Sequence, residues 1–274
     1  MKSFFIFLIV LLSASVAAQK QNSKPAQGSQ AQGTQPAQQQ PGPHPKTQAE
    51  LNDYNAAAVI TGGPAMEKAA DDFAAKYPDS EMRENLYLRA MHEYQTENQS
   101  AKSLEMAEKV LQLDTTNSVA LVISAMVLSD QLTQPNPDPQ KVAEITKNAN
   151  LALETIDTAF KPPAQVTPEQ AAMYKNILKG IAHSALGVTD LKTENYAAAE
   201  TELKTTTELT KAQPDPFNWY YLALAQEHLK KYPDAIATTN EGLKYASSDA
   251  NVQKLLGAVR DKATKESGGS TPAK

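Results

Sequence analysis

Apolar residues recur along this chain at steps of three and four, the spacing of one face of a helix. Trp219, Leu222, Ala223 and Gln226 advance in that way, as do Met66, Ala69, Ala70, Phe73 and Tyr77, and later Val142, Ile145, Ala149 and Leu153. No segment alternates apolar and polar positions for long, so the pattern predicts an all-α chain with almost no sheet. Helix limits are written in the same stretch of residues. Thr47 followed by Glu50 makes a capping box before a first helix with Leu51, Tyr54 and Ala58 on one face. Gly62-Gly63-Pro64 breaks that helix and sets Pro64 in the first turn of the next. The run Gln134-Pro135-Asn136-Pro137-Asp138-Pro139 predicts an extended loop, because proline pushes its predecessor out of helical geometry. Pro162-Pro163 ends a helix, and Thr167-Pro168-Glu169-Gln170 restarts one with a cap and a leading proline.

Two stretches repeat each other 36 residues apart. Leu186-Gly187, Tyr196 and Ala199 return as Leu222-Ala223, Tyr232 and Ala235. The small residue beside each Leu removes bulk so that a second helix can approach closely, the aromatic plugs the turn, and the Ala permits contact on the second helix. A period in the thirties that is helical in both halves predicts a solenoid of stacked helical hairpins.

In the clearest copy, Trp219, Leu222, Ala223, Tyr232, Ala235 and Leu243 resemble the consensus of the tetratricopeptide repeat (TPR) family. The departures are Gln226 for Tyr, Gly242 for Ala and Ser247 for the closing Pro. The likeness is strongest from Ile177 to Ala246. Upstream, Glu108 to Asp114 resembles the repeat's ending, with Tyr87, Ala90 and Tyr94 in register before it, and Asn117 to Glu154 suggests a further, interrupted unit. The resemblance implies a right-handed α-solenoid of antiparallel helix pairs, of about ten helices. From Asp249 onward Val252, Leu255, Leu256 and Val259 point one way and charges the other, as expected of a helix that seals an open end. Residues 69–94, with Lys76-Tyr77-Pro78-Asp79-Ser80, also resemble a TPR variant of bacterial envelope proteins. That group includes the lipoprotein of the outer-membrane β-barrel assembly machine and the periplasmic partner of the Tol system. The chain has no cysteine, so lipid attachment, disulfides and thiolate chemistry are excluded.

The organisation expected is therefore a signal peptide at 1–18, a Gln/Pro-rich disordered linker at 19–47, a TPR-like domain at 48–266 and a disordered tail at 267–274. Met1 and Lys2 precede an apolar run from Phe4 to Leu12 and a small-residue exit through Ala18, the form of an export signal. Export to the periplasm or beyond is the expectation; an uncleaved signal anchoring the chain in the inner membrane is the alternative. Between signal and domain, Gln, Pro, Gly, Ser and Ala dominate and no large apolar residue occurs, so little surface can be buried to offset ordering.

Charge then narrows the partner. The domain carries 21 basic against 31 acidic residues, near −10, which disfavours nucleic acid and anionic membrane surfaces. A basic or neutral peptide fits better. Chemistry is sparse. His44, His92, His183 and His228 show no three- or four-residue pairing, so no metal is expected, and no cofactor or catalytic residue can be named. His183 stands where the repeat usually has Trp and reads as packing.

By the resemblance, the partner-binding residues are those placed on the concave side of each first helix. They are Leu88, His92 and Gln95, then Ser184, Val188 and Leu191, then Tyr220, Leu224 and Glu227. The Lys/Asn/Arg arrangement that clamps a C-terminal carboxylate in some relatives is absent. The function implied is a non-catalytic scaffold or adaptor of the bacterial envelope. Its alternatives are a self-associating structural protein and an accessory subunit docking an envelope enzyme or transporter.

Overall fold

The computed structural model describes residues 44–160, 162 and 166–268. The expected signal peptide, most of the linker and the last residues of the tail lie outside them. Eleven α-helices follow one another: α1 Gln48–Ala58, α2 Gly63–Lys76, α3 Arg83–Thr96, α4 Ser100–Leu113, α5 Ser118–Gln131, α6 Pro139–Ala159, α7 Pro168–Lys192, α8 Tyr196–Leu209, α9 Pro216–His228, α10 Tyr232–Tyr245 and α11 Ala250–Glu266. No strand occurs among the described residues. Each helix packs on the next. In addition α1 touches α3, α5 touches α7, α7 touches α9 and α9 touches α11, so α5, α7, α9 and α11 follow one another in a continuous series.

The local signals act as written. Thr47 Oγ1 accepts the Glu50 N–H at 3.1 Å, and Glu50 Oε2 accepts the Lys46 N–H at 2.6 Å, so the side chain reaches back to the residue before the cap. At α7 the capping box closes in full, with Gln170 N–H on Thr167 Oγ1 and Thr167 N–H on Gln170 Oε1. Asp138 caps α6 directly after the proline-rich loop, and Pro139 opens the helix. Gly62 turns with φ +88°, a conformation that favours glycine, and its N–H reaches Glu93 Oε2 at 2.8 Å.

Burial is uneven. In α5, Ala120 to Ala125 and Val127 to Ser129 are all buried, so this helix is enclosed on nearly every side. It lies within the largest apolar cluster, which runs from Ala57 in α1 to Ala185 in α7. From Leu191, in the last turn of α7, onward the apolar core divides into three smaller clusters. Polar Thr206, Asn218, Gln226 and Thr239 are buried in the same half of the chain.

Close approach between helices is set by glycine at defined points. A Cβ on Gly187 would lie 2.6 Å from Leu203 Cγ of α8, and one on Gly242 would lie 2.6 Å from Trp219 Cβ of α9. Gly242, one of the departures from the repeat consensus, thus has a physical cause. So has Gln226, whose Oε1 accepts the Thr238 hydroxyl at 2.7 Å between α9 and α10, both groups buried.

Candidate interaction face

The nine residues expected to face a partner separate into two sets. Leu88, His92 and Gln95 lie on α3, which packs on α1, α2 and α4. Leu88 and Gln95 are buried and His92 is half-buried. Burial holds the His92 imidazole below its usual range, with Arg89 acting in the same direction and Glu93 opposing.

The other six lie on α7 and α9, which pack on each other. Ser184 donates to Asn218 Oδ1 at 2.7 Å in a buried bond between these helices. Leu191 belongs to one apolar cluster with Leu222, and Leu224 packs against it. Val188 is buried as well. Glu227 is only 6% exposed and pairs with Lys262 of α11, at 2.9 and 3.0 Å from its two oxygens. Tyr220 is half-buried against Tyr221, ring centroids 5.2 Å apart, and burial pushes its phenol up. Six of the nine are therefore buried, leaving His92, Tyr220 and Leu224 as the partly accessible members.

The structure adds residues that the sequence pattern did not single out. Lys192, at the end of α7, sends its ammonium to Ser129 O at 2.7 Å and Asp130 O at 3.0 Å. These are last-turn carbonyls of α5; Ser129 O also accepts the Leu132 N–H at 3.3 Å, so the ammonium completes a helix end that its own backbone closes only in part. Burial lowers the Lys192 ammonium while Asp130 supports its charge. The Asp130 carboxyl is raised by burial and drawn back by Lys192.

Asp215 caps α9, its Oδ1 accepting the Phe217 N–H at 3.1 Å. Its Oδ2 is shielded and has no hydrogen-bond partner, and the same holds for Nδ2 of Asn218, a residue 1% exposed. Each such atom costs about 1–3 kcal/mol relative to a satisfied one. Burial pushes the Asp215 carboxyl up to about 7, and the charges of Asp130 and Asp249 act in the same direction. Tyr221 stands in that field. Its phenol is raised well beyond the usual range by burial, then by Asp130, Tyr220 and Asp215.

The arrangement sets half-buried tyrosines beside two carboxyls whose ionisation burial opposes. Among the described residues no group of three His, Cys, Asp or Glu is placed to hold a metal, and no helix is long and apolar enough to cross a membrane. No family model matches this chain, and no curated protein does.

Proposed function

We propose that this chain is a TPR-like, right-handed helical solenoid that acts as a non-catalytic binding scaffold in the bacterial envelope. It takes an extended or helical protein segment along the face formed by α7 and α9. The observation that carries the reading is the 36-residue recurrence joined to its packing. At Gly187 against Leu203, and again 36 residues on, a small residue next to Leu falls mid-helix on a first helix that packs on its successor. The contacts that join α5, α7, α9 and α11 in series support a stacked array of hairpins over that stretch, in which these first helices offer one surface. Affinity on such a surface comes from a few aromatic anchors and the exclusion of water around them, a role that Tyr220 suits. The acidic excess of the domain favours a basic or neutral segment.

Export rests on residues 1–18; processing there predicts that the mature chain begins at Gln19, which N-terminal sequencing of an envelope fraction would check. The binding reading is tested by placing a photo-crosslinking residue at Tyr220 or, for comparison, at exposed Glu208 on α8, in cells with an intact envelope. A defined heterologous adduct from position 220 and not from 208 supports it. Adducts of the chain with itself alone would favour the self-associating alternative, and equal capture at both positions would sink the assignment of this face.

A further inference from the structure

The start of α9 is held by opposing influences. Asp215 Oδ1 and Asn218 Oδ1 are well bonded, to the Phe217 N–H and the Ser184 hydroxyl. The other end of each side chain, Asp215 Oδ2 and Asn218 Nδ2, is shut away from water with nothing to bond. Two buried polar atoms left in this way favour any movement that hydrates them.

The charged and titratable groups around Asp215 add to that tendency. From α5 comes Asp130, and from the cap of α11 comes Asp249, both acidic. From α9 itself come Tyr220 and Tyr221, phenols that burial keeps protonated. Lys192 of α7 stands beside Asp130, and two of its donors go to the Ser129 and Asp130 carbonyls. The helix terminus favours an anion at Asp215, yet burial outweighs it.

We propose that the contact between α7 and the first turn of α9 is a pH-sensitive gate, closed while Asp215 carries a proton and opened by its ionisation. Opening moves the first turn of α9 away from α7 and uncovers Ser184, one of the residues expected to meet a partner. The movement stands on its own; its use in binding rests on the function proposed above.

The sign follows from which form holds the proton. In the closed form Asp215 ionises only near pH 7, whereas once hydrated it returns to the ordinary carboxylate range. The closed form therefore binds the extra proton between those values and is favoured at the acid end. The opening constant rises with pH across that interval and levels off above it, by roughly 100-fold between about pH 5 and pH 8.

Hydrogen exchange of the full chain, corrected for the intrinsic pH dependence of exchange, reads this directly. Protection of the amides of residues 217–222 should fall by up to about 100-fold from pH 5 to pH 8, relative to amides of α4. Fluorescence of Trp219, the single tryptophan, should report the same midpoint. In Asp215→Asn the fall should vanish, and in Asp130→Asn its midpoint should move to lower pH, because one like charge is gone. Flat protection in the native chain, or an unchanged slope in Asp215→Asn, overturns the gate. Should Asp215→Asn fail to fold by circular dichroism, Asp130→Asn decides: an unmoved midpoint overturns the proposal. A gate that opens while Tyr220 captures no partner would sink the binding role alone.

Discussion

The pairs α7–α8 and α9–α10 share their spacing but divide their bulk differently. In the first pair Gly187 lies against Leu203, and the matching positions of the second hold Ala223 and Thr239. In the first, His183 is matched with Thr206; in the second these become Trp219 and Gly242, in close contact. Both exchanges move volume from the second helix to the first. The polar crossing contacts follow suit. His183 Nδ1 meets Glu202 at 2.6 Å in the first pair, and Gln226 meets the Thr238 hydroxyl in the second. What recurs is a glycine at a point of close approach, on the first helix in one pair and on the second in the other, and the facing side chains fill the space it leaves.

That view can be broken at several points. The largest effect is expected at fully buried Leu203, where Leu203→Ala should cost about 2–5 kcal/mol in denaturant unfolding. Adding Gly187→Ala should recover part of the loss, since the new methyl enters the space left. Strict additivity of the two changes would show that they do not share a volume. Next, Gly242→Ala should cost about 1–3 kcal/mol by overpacking. Trp219→Phe should not rescue it, because the obstructing atom is the Trp219 Cβ, which Phe retains. A rescue would place the clash on the ring instead. Gln226→Ala should cost about 1–3 kcal/mol by stranding the buried Thr238 hydroxyl, whereas Gln226→Leu combined with Thr238→Val should fall near the native stability. The smallest change is Lys192→Met. It should cost about 1 kcal/mol by uncapping α5, seen as faster amide exchange at the last turn of that helix more than as a shift in midpoint.

Much of the fold was legible because its signals are local. Thr47 and Thr167 with Gln170 set helix starts through bonds that span four residues or fewer, Pro64 does so by its fixed backbone angle, and the structure places helices where they point. Asp138, which caps α6, shows in the sequence only as part of the loop before it. The long α7 reaches nine residues further back than the repeat likeness alone suggested, because the cap at Thr167 lies well ahead of Ile177. The interaction face was less legible. Spacing told which residues share a helix face but not how closely that face meets its neighbours, so Val188 and Glu227 read as accessible and are buried. Asp215 was visible only as a polar residue between two prolines; its altered ionisation comes first from burial in the folded array, with a smaller push from Asp130, 85 positions away in the chain. Lys192 gave no signal at all, since a lysine in a last turn is ordinary until the carbonyls it meets are known.

The bond from Lys192 to α5 also sets an order in time. Its partners Ser129 and Asp130 precede it by 63 and 62 residues, with the whole of α6 between. As the chain is synthesised, α1 to α6 can pack on their immediate neighbours while the end of α5 still faces water. Only when α7 is complete does that end receive its ammonium, so the middle of the molecule is finished by a residue made long after it.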